Sequence, residues 1–369
     1  MNAVEREIAT YSFGKLDRLP RREWGFFPET ENNWREQGWD GSREHFMYDE
    51  YPYAEELVDL VGIDIPLAPA FKEEIVETDE NYIYTRTVSG AVEQFPKDKR
   101  RWGEVMPLYV RHPVEKPEDW YGFIKPRLNP ETPGRWEKFY EKSEETVKRV
   151  ERGEKLYEAT CIGGYMYLRA MLGPEKTCLA FYDTPAMVHD MMKTWLNLAK
   201  TCLLRVQKKV SFFKFLIGED ISYKNGLLIS PAMCEEFLFP YYRDLLESLR
   251  NGQKDFMHAE VDTDGNVSDV IPLYRKVGFN VMRPFEVAAG NDVVEIAKKY
   301  PDLVISGGID KRILAESKEA IKKEVERIIP FMAGRGGYIP TCDHTVPSNV
   351  PYENYLYYRK LITALDGFK

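Results

Sequence analysis

Cysteine is scarce in this chain: Cys161, Cys178, Cys202, Cys234 and Cys342 are its five. The number is odd, the spacing is wide and no CxxC pair occurs, which argues against a disulfide framework and a four-cysteine zinc site. They read as reduced core residues, with Cys342 set apart by its place at an expected strand end. Positive charge is not in excess either. The 51 Lys and Arg face 60 Asp and Glu, a formal net charge of -9 with no basic block, so nucleic acid and anionic membrane are poor partners. No apolar stretch approaches the roughly 20 residues of a membrane span, and residues 1–19 lack the apolar core of a signal peptide. The expected place is the cytoplasm. GxSxG, P-loop, HExxH and dinucleotide-binding fingerprints are missing, and the glycines from Gly334 to Gly337 follow a helix instead of opening one.

What the chain does have is a series of five short apolar runs that end on acids or histidine. They are residues 212–217 before Glu219-Asp220, 256–261 before Asp262-Thr263-Asp264, 279–285 before Glu286, 303–309 before Asp310, and 338–342 before Asp343-His344. Runs of this length followed by helical segments read as buried parallel strands. In a (β/α)8 barrel their carboxyl ends share one face, where barrel enzymes keep their chemistry. Five such ends make a mouth rich in carboxylates, which calls for a cation.

The expected fold is therefore α/β: one distorted (β/α)8 TIM barrel with an N-terminal α+β extension. Residues 1–134 form the extension, which takes in the first barrel unit if the barrel starts early, and residues 135–369 the main barrel. In the extension, 17–39 reads as loop, 51–61 as helix, and 74–95 as one or two antiparallel strands. Trp24, Phe26, Phe27, Trp34 and Trp39 lie in a Gly/Pro-punctuated stretch suited to a pocket wall or lid. Further on, 136–152 reads as an exposed helix and 157–162 as a strand. Thr184-Pro185 caps a helix to about 210, Ser230-Pro231 one over 232–251, and Ser317 one over 317–329. Strand followed by helix recurs four times between 212 and 329, without the short-period repeat of a solenoid.

Asp262-x-Asp264-Gly265-Asn266 is the densest candidate. Two carboxylates two residues apart share a strand face at roughly 6 to 7 Å, and Gly265 eases the bend that would let them converge. A calcium loop is rejected because its twelfth position, counted from Asp262, is Leu273. The bland alternative is an Asx-turn capping the helix that starts near Asp269. With His344, the two aspartates would suit zinc or another divalent ion with an open position, or a general-base cluster without metal. His258 lies deeper on the same strand face and reads as structural, with Glu260 between as an orienting group; both, with Cys342, stay possible ligands. Glu219 and Asp220 are further candidate catalytic acids, followed by Tyr223 and Lys224 as hydrogen-bonding loop residues. Glu286 and Asp310 face either substrate or the nearby Arg283, Lys311 and Arg312, in which case ion pairs explain them.

The residues Asp262 to Asn266, then MRPFEVAAGNDVVEIAKKYPDLVISGGID, then GGYIPTCDHTVPSNVPYENYLYY, resemble the uroporphyrinogen decarboxylase superfamily. So do DRLPRREWGFFPET and GEDISYKNGLLISPAMCEEFLFPYY. The resemblance implies a distorted barrel with its site in the carboxyl-end cleft. It also implies one of two chemistries: cofactor-free decarboxylation of uroporphyrinogen, or zinc-dependent methyl transfer involving a thiol or the cobalamin of a corrinoid protein. The zinc methyltransferases place His-x-Cys-Gly after one strand and Cys after the last; this chain has Asp262, Asp264 and His344 there and departs at every ligand. A thiolate-rich site is thereby disfavoured, whereas O-demethylase members make a methoxylated donor, aromatic ones included, the expected substrate. Trp24 and Phe26 would contact it. Relatives also suggest a homodimer.

Three readings follow. A metal-assisted methyltransferase serving a corrinoid protein ranks first. A metal-free decarboxylase of a uroporphyrinogen-like polycarboxylate ranks second, because an acidic mouth repels eight carboxylates. A non-catalytic ligand-binding barrel, with its acids serving as caps and ion pairs, is the third.

Overall fold

The computed structural model describes residues 1–54, 67–98 and 107–367, the side chains of 137–142 excepted. Its first sheet is an antiparallel meander of β1 (Glu74–Thr78), β2 (Tyr82–Arg86), β3 (Val92–Pro96) and β4 (Leu108–Arg111). That is more strand than the expected one or two. The extra turn comes at Gly90, whose φ of 89° lets Thr87 N–H reach the Ala91 carbonyl at 2.8 Å.

The second sheet holds the core. Its strands are β5 (Glu158–Ile162), β6 (Lys214–Gly218), β9 (His258–Thr263), β10 (Val281–Pro284), β11 (Val304–Ser306) and β12 (Tyr338–Ile339), paired in that order and parallel throughout. All five expected acid-tipped runs are among them. The short hairpin β7 (Ser222–Tyr223) and β8 (Gly226–Leu227) follows β6. Because each strand pairs with the next in sequence, right-handed crossovers put every connecting helix on the same face. Those helices include Pro185–Gln207, Phe239–Asn251, Val270–Val277, Val293–Lys299 and Lys318–Arg335. Side-chain parity follows: Phe215, Ile217, Ala259 and Val261 pack under helices, while Lys214, Glu260, Asp262 and Arg283 point to the opposite face.

The six strands leave two sheet edges, and closure into a barrel is not part of this ladder. Each edge nevertheless meets an N-terminal segment. Phe26 makes a parallel bridge with Val346 beyond β12, and Tyr53 one with Leu156 before β5. The two segments meet where Asp49 N–H donates to the Arg21 carbonyl at 2.8 Å.

Several expected boundaries change. The stretch 17–39 contains the helix Pro28–Glu36, opened by Pro28 and fixed where the buried Trp34 indole donates to the Val350 carbonyl at 2.7 Å. Residues 51–54 are not helical, Tyr53 being spent on its bridge, and the remainder of that expected helix lies outside the described residues. Ser230 and Ser317 cap as expected, accepting from Met233 and Ala320 N–H at 3.2 Å each. Thr184 does not; its hydroxyl donates back to the Ala180 carbonyl. No helix among the described residues is long and apolar enough to cross a membrane.

Candidate active site

The sheet's inner face carries charge where an ordinary core would carry aliphatics. Lys214 opens β6 beside Glu158 of β5, is 3% exposed, and holds both Glu158, at 2.5 Å, and Glu260. One position up, the Arg283 guanidinium contacts Glu260 at 3.5 Å and Asp262 at 3.1 Å. Arg283 also lies over the Trp24 ring, 4.4 Å from its centroid, and Trp24 stacks on His344 with centroids 6.0 Å apart and planes 6° from parallel. Beneath this Arg283–Trp24 roof is a cavity of about 150 Å3, walled by Lys214, Glu158, Glu260, Glu23, Tyr51 and Tyr53 among others.

Above the roof is the acidic mouth. Asp264 Oδ1 lies 3.9 Å from His344 Nε2, and Asp264 N–H donates to Asp220 Oδ1 at 3.3 Å. Gly265 N–H donates to Glu286 Oε2 at 3.0 Å. Gly265 has φ 80° and an added Cβ would stand 2.7 Å from Tyr223 backbone, so the bend after Asp264 needs glycine. Asn266 supplies an Asx-turn, accepting from Ser268 N–H at 3.0 Å, whereas Asp269 does not cap its helix. Burial, and then the charges of Asp220, Glu286 and Asp262, push the Asp264 carboxyl up to about 7. With 41% of that side chain open to solvent, the direction is what three like charges demand. Burial raises Asp262 to about 6 against the pull of Arg283. Burial lowers His344 and Lys311 lowers it further, keeping its imidazole neutral at neutral pH.

Of the expected site residues, Asp220, Asp264, Glu286 and His344 meet at the mouth. Lys311 joins them, 3.6 Å from Glu286. Asp262 faces Arg283 instead. Asp310 is taken by Arg312 at 2.7 Å, the ion-pair alternative. Glu219 turns the other way: its odd parity sends it behind the sheet, where Tyr274 OH donates at 2.6 Å, Tyr242 OH closer still and Tyr165 N–H at 3.3 Å. Burial drives that sealed carboxyl up to about 8. His258 sits at the opposite end of β9, hydrogen-bonded to Asn280 and ringed by Tyr11, Phe213 and Phe256, where burial lowers it to about 4. The Cys342 thiol is buried and raised by burial and the nearby Glu23, so it is no thiolate. Phe26, Trp34 and Trp39 pack with Phe46 and Tyr352 or Tyr355 as core, leaving Trp24 as the pocket wall. Tyr223 and Lys224 form an exposed hairpin tip, where Tyr223 serves through its carbonyl, which accepts from Asn266 N–H.

Among the described residues, no three His, Cys, Asp or Glu side chains converge as a metal ion requires. The salt bridge to Arg283 is the physical reason Asp262 does not join Asp264 and His344, and the set as placed does not fit a three-ligand zinc site. Sequence reasoning missed Lys214, Glu158 and Glu23. The signal for the first was available: Lys214 interrupts the apolar run 212–217 at an inward parity.

Acids and one histidine at the carboxyl ends of sequentially paired parallel strands, with a small cavity on the inner face of the sheet below them, define an α/β protein with its mouth where such sheets carry ligands. A family model for uroporphyrinogen decarboxylase (URO-D) matches residues 105–364. The chain belongs to that family. It is 29% identical over 144 residues to uroporphyrinogen decarboxylase of Geobacter metallireducens, and 26% over 143 residues to that of Thermus thermophilus. These matches cover 38% and 36% of this chain and 40% and 37% of those relatives. The chain thus spans about two-fifths of the length of the curated relatives it matches. A methyltransferase from Methanosarcina mazei shares the fold over 99% of both chains, with TM-score 0.60 and 13% identity.

Proposed function

We propose that this protein is a cytoplasmic methyltransferase. It would take a methyl group from a methoxylated or otherwise methylated small molecule, aromatic ones included, and deliver it to the cobalamin of a corrinoid protein. The observation that carries the reading is the small cavity under the Arg283–Trp24 roof, with a carboxyl that holds its proton near pH 7 in the mouth on the other side of that roof. The cavity measures about 150 Å3. A compact donor suits it, and the carboxylates of Asp220, Asp264 and Glu286 at the mouth disfavour a tetrapyrrole bearing eight carboxylates.

In this reading the body of the donor lies under the roof and its methoxy group reaches past Trp24 into the mouth, where Asp264 stands. As the acceptor takes the methyl, the methyl–oxygen bond breaks and the oxygen keeps the electron pair. Protonated Asp264 gives that oxygen its proton, and Arg283 favours the charge that develops there. Asp264, 41% exposed, regains a proton from solvent.

We infer further that the six strands belong to a distorted (β/α)8 barrel whose two remaining staves are the irregular segments around 21–27 and 49–54. The bridges Phe26 to Val346 and Tyr53 to Leu156, and the bond between Asp49 and Arg21, support this. The cavity is lined from both 1–134 and 135–369, which supports one structural domain.

The runner-up is decarboxylation of a polycarboxylate, favoured by the curated relatives and by Arg22, Lys214 and Arg283 in the cavity wall. The deciding experiment incubates the protein with cob(I)alamin and a panel of methoxy-aromatic and methylamine donors, following methylcobalamin by absorbance. Uroporphyrinogen runs in parallel with CO2 release as readout, and metal content is measured by mass spectrometry. Methylation with any donor, lost in Asp264→Asn, supports the proposal. CO2 release without methylation transfers the function to the runner-up. About one zinc per chain, lost in both Asp264→Ala and His344→Ala, would restore the metal-assisted form.

A further inference from the structure

Trp24 of the roof and His344 of the mouth come from opposite ends of the chain, and one side chain joins the two segments. Glu23 Oε1 accepts the N–H of Cys342 at 2.8 Å and that of Trp24 at 3.1 Å. Glu23 Oε2 lies 3.3 Å from the Tyr358 hydroxyl, which donates to it. Cys342 bridges Ile309 on its other side, and Asp343 N–H donates to the Ile309 carbonyl at 2.8 Å. At this edge of the sheet the Cys342 N–H has the carboxylate where a strand would offer a carbonyl. Residue 24 then places its indole flat on His344 and under Arg283.

We propose that Glu23 is a positioning residue that sets Trp24 over His344 and so holds the roof against the mouth. Its consequence for turnover rests on the methyl-transfer reading; its effect on Trp24 does not. The neighbouring contacts show why it should act locally. Two residues on, Val346 N–H donates to the Gly25 carbonyl at 3.1 Å and Thr30 Oγ1 donates to the Val346 carbonyl at 2.8 Å. These bonds keep the segment docked without Glu23, so its loss should free residues 23 and 24 without detaching the chain.

The test is 19F NMR of protein carrying 5-fluorotryptophan. The seven tryptophans give seven lines, and Trp24→Phe assigns the one of interest. His344→Gln should move that line, and Glu23→Ala should move and broaden it while the other six stay in place. Glu23→Gln keeps an acceptor at Oε1 and should leave it near the wild-type position. If the Trp24 line stays put in a folded Glu23→Ala protein, the positioning role is wrong. If Glu23→Ala is unfolded, Glu23→Asp, which shortens the reach by one methylene, decides by the same shift. Once a donor is known, Glu23→Ala should lower kcat by up to about 10²-fold, with little further loss in a Trp24→Ala background. Additive losses would also overturn the proposal.

Discussion

Glu219 and Asp264 are both acids at the ends of parallel strands, and both hold their protons to unusually high pH, about 8 and about 7. They differ in everything else. Glu219 is 0% exposed and takes donors from two tyrosine hydroxyls and a backbone amide. Asp264 stands at the mouth among Asp220, Glu286 and His344, with solvent on one side. A raised carboxyl pKa therefore marks a protonation state and not a function. Access for a reacting group and company able to recycle a proton separate a candidate acid from a structural one.

The largest expected effect breaks the pair apart on activity. Asp264→Asn should lower methyl transfer by about 10² to 10⁴-fold, with little change in urea midpoint, whereas Glu219→Gln should keep the rate near wild type. Equal losses in both would erase the distinction drawn here.

Stability should reverse the ranking. Glu219→Ala strands the Tyr242 and Tyr274 hydroxyls in a sealed space and should cost about 2 to 5 kcal/mol by urea denaturation, against a much smaller cost for Asp264→Asn. The pH dependence sharpens this. The Glu219 carboxyl is raised in the fold from an ordinary value of 4.5 to about 8, so the unfolded chain loses its proton first. The associated stability is fully present below about 4.5 and is lost progressively as pH rises through about 8. Glu219→Gln should flatten that part of a stability–pH profile; an unchanged slope would place the titrating group elsewhere. The smallest effect is expected at the hairpin tip, where Tyr223 is 48% exposed. Tyr223→Ala should stay within about 0.5 kcal/mol of wild type and leave turnover intact.

Much of this geometry was legible from the order of residues. The five acid-tipped runs fall on strands because short apolar stretches between helical patterns have few other folds open to them. Strand alternation alone would have sent Glu219 behind the sheet, since it shares parity with Phe215 and Ile217, and would have brought Lys214 inward. Partner choice at equal reach was not legible. Asp262 and Asp264 share a face, yet Asp262 lies beside Arg283 in the register and Asp264 lies past the Gly265 bend.

By itself the sequence determined the parallel α/β core, the acidic mouth and the low number of thiols and histidines, because these depend on local pattern and composition. The tertiary structure alone decided that Arg283 would take Asp262 and that Glu23 would hold the final strand. It also decided that Trp24 alone of the N-terminal tryptophans would leave the core for the cavity. Ion pairs, stacking and side-chain hydrogen bonds act over a few ångströms between residues that here lie more than 300 positions apart, such as Glu23 and Cys342, a separation of 319. Contacts of that kind exist only once the chain has brought its ends together.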